Sequence, residues 1–277
     1  MNDGAVIELF QGVRLTPTQR RIAHSLIANA AAAAYLSAAE VAALAGVSQP
    51  SVTRFAMALG YDGYPALRQR LRDLLHAGGA AATDPGGNEV QRAVRAETDN
   101  LVRLADQLAD LEPVTTAGAV LAGTSPLPVL GLRAAAPLAA YFGFFAAKVH
   151  PDVRVLDTGG SQLADRLEQA RAAGATAILA VVLPRYPREA LDALRAAREL
   201  GLRLVALTDS PVSPVAELAD HPLAAAVGGR LVFDLHTAPM ALAMVLLQAM
   251  CDALGESVQI RLEEFESSAA RRQLFAG

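Results

Sequence analysis

An arginine-rich loop follows one of the most apolar runs of the sequence. After Ala177–Leu183, AILAVVL, the chain reads PRYPRE, which contains Arg185, Tyr186 and Arg188 and begins a helical pattern. A guanidinium group is a planar, permanently charged fork that suits carboxylate or phosphate, and the amides of a helix start favour an anion. These three side chains therefore predict a site for a small anionic ligand. The alternative is a solvated helix start in which Arg188 forms a local ion pair.

Hydroxyl groups next to two other apolar runs are candidates for the same pocket. Thr124 and Ser125 follow the run Ala119–Ala122, and Ser210 follows the run Arg203–Leu207. Such hydroxyls can hydrogen-bond a ligand from a strand end. For Thr124 and Ser125 the alternative is a turn stiffened by proline. For Ser210 the alternative is ordinary capping of a turn.

Four polar residues near the start of a short helix have the types needed to contact DNA. The segment Ser37–Gly60 predicts two short helices joined by a tight turn at Gly46-Val47-Ser48. The second helix then presents Gln49, Ser51, Thr53 and Arg54. These residue types reach base edges or phosphates from a major groove, so the segment predicts a helix-turn-helix. A helical hairpin used only for packing is the alternative.

Chemistry of other kinds has little support. Sugar isomerisation needs a base and an acid, but His150, His221 and His236 form no convincing pair with a carboxylate. The single cysteine, Cys251, excludes a disulfide framework, and no metal-ligand spacing, phosphate-binding Walker loop or full dinucleotide fingerprint is present. We therefore expect no cofactor, no metal and no catalytic residue.

Composition and charge divide the chain into two domains. The 277 residues are 53% hydrophobic and 19% charged, which excludes a disordered chain. A small, Gly-rich segment at Ala77–Asn88 predicts a flexible linker. Residues 1–76 carry seven arginines against five acidic residues, whereas residues 77–277 carry 17 basic and 23 acidic groups. We expect a mildly basic domain at 1–76 and an acidic one at 89–277.

The elements that position these residues differ between the domains. The first domain reads as all-helical, with capping boxes at Thr16/Gln19 and Ser37/Glu40. In the second, a helix over Glu89–Leu111 precedes five short apolar runs, four of them followed by helical patterns. The predicted strands are Ala119–Ala122, Val153–Leu156, Ala177–Leu183, Arg203–Leu207 and Leu223–Val227. This alternation predicts an α/β domain with a doubly wound parallel sheet, whose ligands bind at the carboxyl ends of the strands.

Two apolar stretches are candidates for membrane-spanning helices by composition. Pro113–Leu132 has no formal charge over 20 residues, but its prolines and glycines interrupt any continuous helix. The run Thr237–Met250 is too short to span a bilayer, and the amino-terminal residues lack the pattern of a signal peptide. We expect no membrane contact and a cytoplasmic location.

The first domain resembles a known family. LTPTQRRIAHSLIAN and YLSAAEVAALAGVSQPSVTRFAMALGYDGYPALRQRL, within Leu15–Leu71, are similar to the amino-terminal domain of RpiR-family bacterial transcriptional regulators. The resemblance implies that the helix containing Gln49–Arg54 reads DNA. It also implies a carboxyl-terminal sugar isomerase (SIS) domain.

Three later stretches resemble an SIS domain. Residues Ala119–Ser125, AVLAGTS, correspond to its first strand and the following loop. Residues Thr208–Asp220, TDSPVSPVAELAD, correspond to the loop after its fourth strand. Residues Val232–Leu242, VFDLHTAPMAL, correspond to the start of its last helix. The chain departs from the family after the third strand. The family has a phosphate cradle rich in hydroxyls and glycine there, and this chain has PRYPRE.

Together these observations predict a ligand-responsive transcription factor. Its partners would be double-stranded operator DNA, a small anionic metabolite such as a phosphosugar or a sugar acid, and further copies of itself. We expect a homodimer or higher homo-oligomer, with His236–Leu254 and Glu89–Leu111 as candidate surfaces and a roughly palindromic operator. A phosphosugar isomerase, or a DNA-binding protein with a degenerate SIS dimerisation domain, are the alternatives.

Overall fold

The computed structural model describes residues 6, 9–10, 15–29, 33, 36–77 and 88–275. The chain divides into two compact units, Met1–Glu89 with Ser210–Ser213, and Val90–Asp209 with Pro214–Gly277. Apart from its two end residues, the predicted linker Ala77–Asn88 lies outside the described residues.

The first unit is helical. Its helices are α1 (Pro17–Ala28), α2 (Ala38–Ala45), α3 (Gln49–Ala58) and α4 (Tyr64–Ala77). Both predicted capping boxes are present: Thr16 pairs with Gln19 before α1, and Ser37 with Glu40 before α2. In each box the hydroxyl of the N-cap residue accepts a hydrogen bond from the backbone amide of the third helical residue. The side chain of that third residue accepts one from the backbone amide of the N-cap residue, so two amides at the helix start have partners.

A small apolar core holds these helices together. Its large buried side chains include Phe10, Ile22, Leu26, Val41, Val52, Phe55, Leu67 and Leu71. Tyr64 is also buried, and its hydroxyl donates to the carbonyl oxygens of Ala33 and Leu36 at 3.3 and 3.2 Å. These bonds tie the start of α4 to the segment between α1 and α2.

The second unit is a five-stranded parallel sheet with helices on both faces. Its elements in chain order are α5 (Glu89–Gln107), α6 (Glu112–Ala122), β1 (Leu127–Gly131), α7 (Ala136–Val149), β2 (Val153–Leu156), α8 (Ser161–Ala172), β3 (Ala177–Val181), α9 (Arg188–Glu199), β4 (Arg203–Thr208), β5 (His221–Ala224), α10 (Thr237–Leu254) and α11 (Glu256–Arg271). The strand order is β2-β1-β3-β4-β5, and every pairing is parallel. The predicted fold class is confirmed.

The prediction for the first strand is wrong. Ala119–Ala122 forms the last turn of α6, and β1 begins only at Leu127. A short apolar run has no periodicity that separates a buried strand from a buried helix, and here Glu112 and Pro113 begin a helix that continues through it. The predicted helix over Glu89–Leu111 likewise ends at Gln107.

Two apolar clusters cover the two faces of the sheet. Helices α8 and α9 bury one face, whereas α6, α7 and α10 bury the other. Helices α6 and α10 cross closely, because a Cβ on Gly118 would lie 2.7 Å from Ala249. Helix α10 ends at Leu254, the end of the predicted segment His236–Leu254. Its 18 residues are long and apolar enough to cross a membrane, contrary to the expectation for the shorter run Thr237–Met250, and 44% of them are buried inside the domain.

Candidate functional site

The predicted tight turn between two short helices is present in the first unit. Gly46 has φ +63°, the left-handed conformation that glycine adopts without a steric penalty. The amides of Gly46 and Val47 donate to the carbonyls of Ala43 and Ala42 at 3.3 and 2.9 Å. Helix α3 begins three residues after Gly46, so the arrangement is a helix-turn-helix.

Helix α3 has one buried and one exposed face. Its buried residues are Val52, Phe55 and Ala56. Gln49 and Arg54 are exposed, whereas Ser51 and Thr53 are half-buried. The hydroxyl of Ser51 lies 2.8 Å from that of Ser48, so Ser51 takes part in the turn. Of the four predicted DNA contacts, Gln49 and Arg54 therefore project furthest.

Met57 is a further candidate on the exposed side of α3. It lies three residues after Arg54 and is 61% exposed, which is unusual for a large apolar side chain. An apolar side chain in a major groove contacts the methyl group of thymine. The spacing of three residues from Arg54 is the sequence signal that identifies it.

The strand order of the second unit locates the switch point, where open α/β sheets generally bind ligands. In an open sheet of order 2-1-3-4-5 the switch point lies between β1 and β3 at their carboxyl ends. Gly131 of β1 pairs with Val181 of β3, and Val181 pairs with Leu207 of β4. The loops after these three strands therefore leave the sheet side by side, and we call this border the carboxyl edge.

Thr124 and Ser125 lie at the opposite border, the amino edge, because they precede β1. The expected position after the first strand is therefore wrong. Thr124 is buried, and its hydroxyl accepts the amides of Thr176 and Ala177 at 2.9 and 3.2 Å while donating to the carbonyl of Pro126 at 3.2 Å. These bonds fasten the start of β1 to the start of β3. Ser125 is exposed at the same edge.

Arg133 lies two residues after the end of β1. It is exposed and has φ +56°, a conformation that costs a residue with a Cβ about 1–3 kcal/mol. The turn is tight, because a Cβ on Gly131 would lie 2.5 Å from the Cβ of Ala139. Misplacing the first strand hid Arg133, and the signal that could have found it is an arginine two residues after a glycine at a strand end.

The PRYPRE loop follows β3 at the same carboxyl edge. The Tyr186 hydroxyl donates to Oδ1 of Asp209, after β4, at 2.8 Å. Burial, with the negative charge of Asp209 and this hydrogen bond, raises the pKa of Tyr186 well above its ordinary value, so the phenol stays protonated. Arg185 and Arg188 are exposed, and within the described chain no hydrogen bond or ion pair engages their guanidinium groups. The structure thus brings two predicted arginines to the border that Arg133 occupies.

Glu189, in the first turn of α9, contacts the loop between β2 and α8. Its carboxylate accepts the amide of Gly160, which precedes α8, and a Cβ on Gly159 would overlap that carboxylate. The start of α8 therefore already holds an anion that the chain itself supplies.

Ser210 lies two residues after β4 and is buried. Its hydroxyl accepts the amide of Val212 at 3.3 Å, and its carbonyl accepts the amide of Ser213 at 3.1 Å. These are bonds of a turn. A contact between Ser210 and a ligand stays a prediction.

The histidines are dispersed. His150 lies at the amino edge, where its Nε2 donates to the Thr124 carbonyl at 2.7 Å and its Nδ1 accepts the Asp152 amide at 3.3 Å. His221 begins β5, and His236 precedes α10 with a buried Nε2 that has no partner among the described residues. The searched part of the chain, which omits the undescribed residues, contains no cluster of three metal-binding side chains.

Comparison with known proteins identifies the first unit. Residues 10–78 match the family model of the rpiR-family helix-turn-helix domain. The first domain is an RpiR-family helix-turn-helix domain. The chain is 27% identical over 219 residues to the HTH-type transcriptional regulator HexR of Pseudomonas aeruginosa, covering 76% of this chain and 75% of HexR. It is also 35% identical over 82 residues to the uncharacterised HTH-type regulator YfhH of Escherichia coli, but spans only 28% of that protein.

Solved structures identify the fold of the second unit. The sugar isomerase domain of an RpiR transcription factor from Sphaerobacter thermophilus matches with a TM-score of 0.58 and 28% identity, over 64% of this chain and 97% of that one. The Vibrio vulnificus NanR protein, complexed with ManNAc-6P, matches 99% of this chain and all of its own with a TM-score of 0.60, at 16% identity. The predicted combination of an RpiR-family domain with an SIS fold is confirmed.

Proposed function

We propose that this chain is a bacterial transcriptional regulator that binds operator DNA through its RpiR-family domain and a small anionic metabolite through its SIS-fold domain. The proposal rests on one observation. Three exposed arginines flank the switch point of the sheet: Arg133 and Arg185 follow β1 and β3, and Arg188 begins α9. Similarity to a named regulator, HexR, over three quarters of the chain supports the DNA-binding half.

The DNA-binding half has a definite geometry. Helix α3 would enter the major groove, where Gln49 suits adenine and Arg54 suits guanine or a phosphate. The Ser48 side chain does not cap α3, so the amide of Gln49 is left for a backbone phosphate, whereas Pro50 has no amide hydrogen and the Ser51 amide donates to the Ser48 carbonyl at 2.9 Å. Arg21 and Arg70 are exposed and supply positive charge for further phosphate contacts.

In this proposal, metabolite binding to the SIS-fold domain changes the affinity of the regulator for its operator. A metabolite changes operator affinity only if it binds the DNA-competent and DNA-incompetent forms with different affinity. We assign no catalytic role to His150, because its two ring nitrogens are bonded to backbone groups, the Thr124 carbonyl and the Asp152 amide. The cytoplasm, where both DNA and metabolite are present, is the proposed location.

We further propose that the regulator is a homodimer or higher homo-oligomer on a palindromic operator. Of the two predicted surfaces, α10 buries eight of its 18 residues inside the domain, whereas α5 exposes Val90, Val94 and Val102. Helix α7 adds Tyr141 and Phe144, which are 40% and 61% exposed. Light scattering of the protein with and without Phe144→Glu tests this assembly.

A binding experiment tests the central proposal. The full chain is titrated with DNA from its own promoter region, and fluorescence anisotropy measures affinity for the wild type, Arg54→Ala and the matched control Arg203→Ala. We expect Arg54→Ala to weaken binding roughly tenfold or more and Arg203→Ala to bind like the wild type. Turnover of a phosphosugar without sequence-selective DNA binding would instead support the isomerase alternative.

A further inference from the structure

Two of the four polar residues predicted to contact DNA are engaged within the first domain. The hydroxyl of Ser51 lies 2.8 Å from that of Ser48 in the turn before α3. The methyl group of Thr53 faces the loop before α4, because a Cβ built on Gly63 would lie 3.8 Å from it. Ser51 and Thr53 are accordingly half-buried. The surface that α3 presents to a partner is therefore formed by other residues.

A line of exposed residues runs along the outer side of α3. It consists of Pro50, Arg54 and Met57, whose spacing of four and three residues places their side chains above one another on a helix. All three are exposed, whereas Val52 and Phe55 on the opposite side are fully buried. Arg54, the one charged residue of α3, thus stands between two apolar side chains.

Charge and fold together indicate which partner this line of residues contacts. Residues 1–76 carry seven arginines against five acidic residues, and a net positive surface attracts the phosphates of DNA. Because the first domain is an RpiR-family helix-turn-helix domain, α3 is the helix expected in the major groove. The apolar group that a base presents in that groove is the C5 methyl group of thymine. An exposed methionine on α3 therefore has a chemically matched partner there.

The spacing of these residues is close to the spacing of base pairs. An α-helix rises about 1.5 Å per residue, so Pro50 and Met57 lie roughly 6 Å and 4.5 Å along the axis from Arg54. Successive base pairs of duplex DNA are about 3.4 Å apart. With the guanidinium group of Arg54 on a guanine, each apolar side chain therefore lies over a base pair one or two steps away.

From this arrangement we infer that Met57 determines operator specificity by contacting the C5 methyl group of a thymine, within two base pairs of the guanine bound by Arg54. This inference rests on the proposed DNA-binding function and names the base feature that is recognised. Pro50 supplies a second, smaller apolar contact on the other side of Arg54. Each half-site therefore contains a guanine with a thymine close to it, and the affinity depends on the methyl group of that thymine.

Removal of single methyl groups from DNA tests this inference on the full chain. Duplexes that bind the wild type are selected from a random-sequence library, and each thymine of the selected site is then replaced in turn by uracil, which lacks the C5 methyl group. Fluorescence anisotropy measures the affinity of the wild type and of Met57→Ala for each duplex. We expect one position at which uracil weakens wild-type binding about fourfold, the value of one buried methyl group, and at which Met57→Ala binds both duplexes equally.

Two further variants separate recognition of the methyl group from general effects on binding. Met57→Leu keeps an apolar side chain and retains the preference for thymine over uracil. Leu44→Ala removes another large apolar side chain of the same domain, 54% exposed on α2, and leaves the preference unchanged. The same preference in Met57→Ala as in the wild type overturns the inference. Light scattering is measured in parallel, and a change of oligomeric mass in Met57→Ala with an unaltered preference assigns Met57 to a contact between copies and overturns it as well.

The outcomes also distinguish failure of this inference from failure of the proposed function. Sequence-selective binding by the wild type that no uracil substitution weakens overturns the role of Met57 and leaves the DNA-binding function intact. Selection that enriches no sequence, in protein that is folded, overturns the inference and the DNA-binding function together.

Discussion

The two edges of the SIS-fold sheet use polar residues in opposite ways. At the amino edge, Thr124 and His150 are buried, and each polar atom of their side chains has a partner in the protein. At the carboxyl edge, Arg133, Arg185 and Arg188 are exposed, and the described residues offer their guanidinium groups no bond. Satisfied groups hold a fold together, whereas groups held in place without a partner are available to a ligand.

The largest effect we expect comes from the amino edge. Thr124→Val keeps the shape but leaves the amides of Thr176 and Ala177 without their acceptor, which costs about 2–4 kcal/mol of unfolding free energy. Urea denaturation measures this loss. Thr124→Ser retains the hydroxyl and should recover most of it, and both variants should bind ligand normally once folded. A ligand-binding defect in folded Thr124→Val would break the distinction between the edges.

A substitution at the carboxyl edge should weaken ligand binding and leave the free energy of unfolding nearly unchanged. Arg185→Ala lowers ligand affinity by about 1.5–3 kcal/mol, the usual worth of charge-assisted hydrogen bonds, and changes stability by less than about 0.5 kcal/mol. Calorimetry and urea denaturation of the same protein give both numbers. A large loss of stability with intact binding would make Arg185 a structural residue.

His150 gives the amino edge a pH dependence. Burial lowers the pKa of its imidazole below the ordinary value of 6.5, so the folded domain excludes a proton that the unfolded chain binds. Stability is therefore complete above pH 6.5 and falls as the pH drops below it, by at most about 1.4 kcal/mol per pH unit. Urea denaturation between pH 5 and 7.5 should show a flatter profile for His150→Gln. Parallel profiles would contradict this assignment.

The smallest effect tests the strained backbone of Arg133. Arg133→Gly removes the Cβ from a position with φ +56° and should raise stability by about 1 kcal/mol relative to Arg133→Ala. Both variants lose the guanidinium group and should bind ligand equally poorly. Thermal unfolding compares the pair, and a less stable glycine variant would show that the backbone is not strained.

The sequence predicted most of the fold because its local signals are strong. The capping boxes before α1 and α2 and the alternation of apolar runs with helices placed four strands and the helix-turn-helix. The run Ala119–Ala122 was misassigned because four apolar residues fit a helix or a strand equally well. That one error moved Thr124 to the wrong edge and hid Arg133.

The contacts within the candidate site were beyond sequence reasoning. The bond between Tyr186 and Asp209 joins residues 23 positions apart, and that between Glu189 and Gly160 joins residues 29 apart. Both depend on which loops the strand order places side by side. Arg185 and Arg188 could be predicted from residue type, because no other side chain combines a permanent charge with a planar fork.

Operator binding in the presence of ligand tests the central claim most directly. Fluorescence anisotropy would measure the affinity of the full chain for its promoter DNA with and without each saturating sugar acid and sugar phosphate, for the wild type and the double variant Arg133→Ala/Arg185→Ala. We predict that a ligand changes operator affinity of the wild type at least fivefold and that the double variant binds DNA normally without responding. An identical response of both proteins, or none in the wild type, would contradict a sensor at the carboxyl edge.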